Sequence, residues 1–262
     1  MKKKSSLILI ELSFAGMSLL NVIRNFKITS RLNKILFLLL LLFSADGYCC
    51  VTCNNELRQA IQDSVYTNIF IMCSAFIALT LVIILLVYLS VKRYKTSVNQ
   101  IPAITPLVTA AMVLGIGLGG FADGIVFHQI LQWHEMLSNK FPPDTVLLKS
   151  VNMFWDGVFH LFTLLTTLIG ICLLWKASRK VHVNTPGSIL AGGMLAGWGI
   201  FNLIEGILNH QILELHYVRE RSANPNLWNY GFLIFGLVLL VAGWLMVQQH
   251  NAKKESTSHY TN

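Results

Sequence analysis

From Ile69 to Val91 the chain runs for 23 residues without a charged side chain. At about 1.5 Å per residue, a helix of that length crosses the roughly 30 Å hydrocarbon core of a bilayer. In lipid a backbone N–H or C=O has no water to bond to, and a helix satisfies these groups within the segment itself. Four further apolar runs follow, at about 106–133, 147–175, 188–212 and 228–248. Only 12% of residues are charged, against about 25% in soluble domains. The fold class is therefore an all-α integral membrane protein. We expect a four-helix bundle of two tandem helical-hairpin repeats over 106–248, preceded by a signal sequence and one extra transmembrane helix at 69–91.

Inside two of these runs a twelve-residue pattern recurs. Residues 123–134 read DGIVFHQILQWH and residues 205–216 read EGILNHQILELH. Acid and histidines keep an offset of 82 positions (123 to 205, 128 to 210, 134 to 216). Titratable side chains are costly in a bilayer and mark sites or pathways there. Repeating three of them points to an internal duplication and a site built from two related halves. The duplication is imperfect: Asp156 and His160 of the first hairpin stand where the second has Asn229 and Leu233.

Charge placement gives a topology. Lys92, Arg93 and Lys95 follow the first mature span, Lys176, Arg179 and Lys180 the third, and Lys253 and Lys254 the last. If each run crosses once, all three clusters share one side, which is cytoplasmic by the positive-inside rule. The net charge of +8 thus reads as orientation and contact with the lipid bilayer, not as nucleic-acid binding. The chain divides into a targeting region (1–47), an exported cysteine-containing segment (48–68), the extra span (69–91), a cytoplasmic linker (92–105), the four-helix membrane domain (106–248) and a cytoplasmic tail (249–262). Arg24, Lys27, Arg31 and Lys34 before the apolar run Ile35–Phe43, then Ala45, Asp46 and Gly47, follow the order of a secretory signal. The location implied is a bacterial-type inner membrane, multi-pass, with a cytoplasmic C-terminus. Cys49, Cys50 and Cys53 suit a disulfide, a redox pair or a soft-metal site.

On a straight α-helix Asp123 and His134 stand about 16 Å apart, too far to share a coordination shell. Asp123 and His128 are about 140° apart in phase. The expected layer holds His128, His210, Asp156 and His160, with Asp123 and Glu205 deeper and His134 and His216 near the outer surface. Histidine and carboxylate donors without thiolate suit Zn, Fe, Mn or Cu(II). The candidate metal ligands are therefore His128, His160, His210, Asp156, Asp123, Glu205, His134 and His216. Metal handling, or maturation of membrane redox enzymes as partners, would use such a site. A second reading places a haem between the repeats on His128 and His210 as an electron carrier, with Gly115, Gly117, Gly119, Gly120, Gly192, Gly193, Gly197 and Gly199 leaving room for it. The competing use of those glycines is close helix packing. A third reading is a metal-dependent membrane hydrolase with Asp123, Asp156 or Glu205 as general base. Whether the chain is an enzyme stays open. Trp133, Trp155 and Trp228 read as an outer aromatic belt.

The stretches GGFADGIVFHQILQWHEM, NMFWDGVFHLF and LIEGILNHQILELHYVRE resemble the integral membrane family called domain of unknown function 2243, over about residues 104–248. The resemblance implies a four-helix membrane domain and supplies no reaction or ligand.

Overall fold

The structure is a computed structural model that describes residues 54–96, 105–179 and 186–259, with side chains described for 54–92, 106–179 and 186–249. The expected targeting region, Cys49, Cys50 and Cys53, and most of the expected linker lie outside the described residues. Within them every regular element is helical: α1 (Asn55–Thr96), α2 (Thr105–Asp123), a π-helix π1 (Gly124–Ile130), α3 (Val146–Ser178), α4 (Gly187–Glu205), a second π-helix π2 (Gly206–Ile212) and α5 (Pro225–His259). Among the described residues, five stretches are long and apolar enough to cross a membrane: Asn55–Lys92, Pro106–Ile130, Val146–Ser178, Gly187–Ile212 and Pro225–Gln249.

Contacts run in series. Helix α3 packs on α2, α2 on α4 and α4 on α5, while α1 lies mainly against α2 and α3. The close α2–α4 crossing follows from glycine. A Cβ on Gly115 would land on the Met194 carbonyl, one on Gly197 on the Met112 carbonyl, and one on Gly193 against Ala111. Without those Cβ atoms the two backbones touch, the geometry that small residues allow between membrane helices. Apolar side chains such as Phe70, Ile234 and Leu237 point outward and are exposed, whereas Asp123, Glu205, His128 and His210 are buried. That inversion is what a bilayer solvent selects.

Helix α1 starts earlier than its apolar run, so residues 55–68 of the expected exported segment are its first turns. The side chain of Asn54 accepts from Glu56 N and Leu57 N and caps the helix. Ser64 and Asn68 bond back to the carbonyls of Ile61 and Ser64, so polar residues continue the helix without leaving donors bare. Trp155 belongs to this contact and not to an outer belt: it is buried, and its indole Nε1 donates to Ser64 Oγ at 3.1 Å. Trp155→Phe keeps the packing and removes the bond. It is expected to lower stability by about 1 kcal/mol, read as thermal unfolding in detergent.

Candidate metal centre

The decisive local event is at the ends of α2 and α4. After Asp123 and Glu205 each helix widens into seven residues of π-helix, closed by Leu131 N→Val126 O and Leu213 N→Leu208 O, both at 2.8 Å. Bonds from i to i+5 bring residues five apart to one side. Asp123 and His128 are such a pair, and Asp123 Oδ2 meets His128 Nε2 at 3.1 Å. The 140° separation of an ideal α-helix is therefore removed by the wider turn.

Directly afterwards the chain turns back. Gln132 and Glu214 both take φ of 48°, a left-handed conformation uncommon for residues with a Cβ and concentrated at functional sites. Trp133 N then bonds Phe127 O, and Leu215 N bonds Asn209 O. This fold-back overturns the expected placement of His134 and His216. They do not face the surface. Both are buried, and their rings stack on each other with centroids 4.6 Å apart and planes 2° from parallel. His134 reaches His128 at 4.3 Å and His216 reaches His210 at 4.7 Å between centroids.

Each of these two histidines is pinned by the opposite half. His134 Nδ1 donates to Val218 O at 2.8 Å and His216 Nδ1 donates to Met136 O at 3.0 Å. A carbonyl only accepts, so the proton sits on Nδ1 and the Nε2 lone pair is left facing the interior. Neither Nε2 has a hydrogen-bond partner. Burial, reinforced by His128, His216 and His210, holds the His134 imidazole well below its usual range. Burial first and His128 second push that of His216 down to about 4. Both imidazoles are neutral bases, the form that binds metal.

His128 is held in a related way, with Nδ1 on Asp156 Oδ1 at 2.8 Å. The same oxygen accepts Met136 N at 3.0 Å. In the other half Asn229 Oδ1 accepts Val218 N at 2.9 Å, but nothing corresponds to the Asp156–His128 bond, and neither nitrogen of His210 is bonded. Both oxygens of Glu205 also lack hydrogen-bond partners, the nearest polar approach being His216 Nε2 at 3.8 Å. Buried polar groups without partners are costly. Such histidine and carboxylate atoms could hold a cation.

Among the described residues, the donor atoms converge in three overlapping groups, each within 4.8 Å: His128, His134 and His216; Glu205, His210 and His216; Asp123, His128 and Glu205. Two of the eight expected ligands fall outside them. Asp156 stands behind His128 and orients it. His160 is half-buried, gives Nδ1 to its own Asp156 carbonyl at 2.7 Å, and packs where a Cβ on Gly124 would collide. Leu233 fills the same role against Gly206. The glycines proposed as room for a flat cofactor are occupied by the facing helices: Gly115, Gly193 and Gly197 as described, Gly117 by Thr167, Gly119 by Trp198, Gly120 by Thr163, Gly192 by Gly243 and Gly199 by Gly236. Trp133 and Trp228 flank Arg219, whose guanidinium lies 5.0 and 4.9 Å from their ring centroids.

The family described as "Predicted membrane protein (DUF2243)" matches residues 110–250, more than half of the chain. The chain belongs to this family. The match runs from within α2 to within α5 and includes every residue of the three donor groups. Its description names the membrane and no reaction. No curated protein and no solved structure matches the chain.

Proposed function

We propose that this chain is an integral membrane metal-binding protein. Its seat would be the inward nitrogens of His128, His134, His210 and His216 with the carboxylates of Asp123 and Glu205. One observation carries the reading: three of the four imidazoles have Nδ1 held from outside by a carbonyl or carboxylate. That is the outer-shell support typical of metal-bound histidine. Nitrogen and oxygen donors without thiolate favour Zn, Fe, Mn or Cu(II) over Cu(I). A bound ion of this kind supplies Lewis acidity or, for Fe, Mn and Cu, a redox couple.

The arrangement suits holding and passing on an ion, in metal handling or in maturation of a membrane redox enzyme. Contacts at positions 82 apart support an internal duplication: two π turns, two left-handed residues and two crossed histidine bonds. On that view α2 to α5 are two helical hairpins of one four-helix unit. The basic clusters at Lys92, at Lys176 and Arg179, and at Lys253 and Lys254 support a cytoplasmic C-terminus. The donor groups then sit in the outer half of a bacterial-type inner membrane.

The test is elemental analysis and an absorption spectrum on the detergent-purified full chain. A transition metal in stoichiometric amount is expected, with affinity falling about a hundredfold or more in His134→Ala and His216→Ala. A chain that carries no metal and takes none up from added Zn, Mn, Fe or Cu salts sinks the reading. A Soret band abolished by His128→Ala or His210→Ala would replace it with haem binding.

A further inference from the structure

Six donors are more than one ion needs, and their grouping says how they divide. His134 and His216 each offer a single nitrogen, because Nδ1 of each is committed to a carbonyl. His216 therefore cannot ligate two ions at once. Glu205 can, since it has two oxygens, both buried and neither hydrogen-bonded, and it belongs to two of the three donor groups. With His210 and His216 it forms one seat; with Asp123 and His128 it forms the other, where His134 stands beside His128 in the third donor group as a further ligand.

Each seat has its own geometric support. Asp123 Oδ2 and His128 Nε2 lie 3.1 Å apart, close to the roughly 3.3 Å between neighbouring ligand atoms around a tetrahedral ion with bonds of about 2.0 Å. Asp156 secures the far nitrogen of that histidine. On the other side His210 is only 1% exposed with both nitrogens unbonded, an arrangement that a cation on one nitrogen relieves. We infer that the centre seats two divalent transition ions, one per half, with the Glu205 carboxylate bridging them. This rests on the metal-binding reading. The seats are unequal: the first has Asp123 in it and Asp156 behind it, whereas the second has Asn229 in the corresponding place. The more anionic Asp123 seat fills first.

The experiment uses the full chain in detergent, stripped by chelator and titrated with Mn(II) by equilibrium dialysis and electron paramagnetic resonance. Two ions per chain are expected, in two steps, and the second equivalent should replace the six-line signal of an isolated ion with a spin-coupled spectrum. Asp123→Asn should retain one ion, uncoupled, and Glu205→Gln should lose the coupling. The wild-type titration stands alone if a variant fails to fold. Saturation at one ion overturns the two-seat inference and leaves the metal-binding reading intact. Two uncoupled ions overturn the bridge. No binding of Mn(II), Zn(II), Fe(II) or Cu(II) overturns the reading beneath it.

Discussion

Gly197→Ala is expected to destabilise the protein by about 3 kcal/mol, whereas the same change at Gly231 should be neutral or stabilising by up to about 1 kcal/mol. Both glycines lie inside helices, so intrinsic propensity favours alanine at each. The difference is the neighbour. A Cβ at Gly197 lands on the Met112 carbonyl of α2, and backbone cannot rotate aside as a flexible side chain can. At Gly231 nothing stands within 4 Å. Gly115→Ala should behave like Gly197→Ala, because its Cβ would meet the Met194 carbonyl from the opposite side of the same crossing. Thermal unfolding of the three variants in one detergent reads the sign directly. Equal effects at Gly197 and Gly231 would mean that α2 and α4 do not touch as described. On the metal-binding reading, metal retention should fall with Gly197→Ala as well, since α2 and α4 lead into the two π turns that carry the proposed donors.

Much of this was legible in the sequence, and the rest was hidden for identifiable reasons. Apolar runs set the helices because bilayer thickness sets a length. The acid–histidine spacing marked Asp123, His128, Glu205 and His210 because polar groups in such runs need a reason to be there. His134 and His216 lie in the interior and not near the surface because the chain does not continue as a straight α-helix through Gln132 and Glu214. Those two residues take the left-handed conformation without the glycine or asparagine that usually announces it. The repeated spacing from acid to second histidine was the available signal, since it made a shared irregularity as consistent as a shared straight helix. Asp156 reads from the sequence as a candidate ligand and stands outside the three donor groups, bonded to His128 Nδ1. That distinction depends on Met136 N, twenty residues away in sequence, and no local pattern contains it. Asn152, which accepts Leu137 N at 2.9 Å and donates to Phe141 O at 2.7 Å, was not singled out for the same reason.

Asp156 also offers the sharpest separation of structure from metal affinity. One oxygen, Oδ1, takes both the His128 Nδ1 bond and the Met136 N bond. An asparagine oxygen has two lone pairs and can accept both; in the other half Asn229 Oδ1 accepts the single corresponding bond from Val218 N. Asp156→Asn should therefore fold with near-normal stability. On the metal-binding reading it weakens His128 as a donor, and affinity at the proposed Asp123 seat should fall about 10- to 100-fold. Asp156→Ala differs in kind. It strands two buried N–H groups, each costing about 1–3 kcal/mol, and loosens the turn that returns His134 to the centre. Loss of several kcal/mol is large against the 5–15 kcal/mol that holds most domains together. The alanine chain is expected to unfold at markedly lower temperature even when stripped of metal. Chelator-treated protein gives the stability arm and Mn(II) dialysis the affinity arm. If asparagine and alanine lower apo stability equally, Oδ1 does not hold both bonds, and the orienting role assigned to Asp156 fails with it.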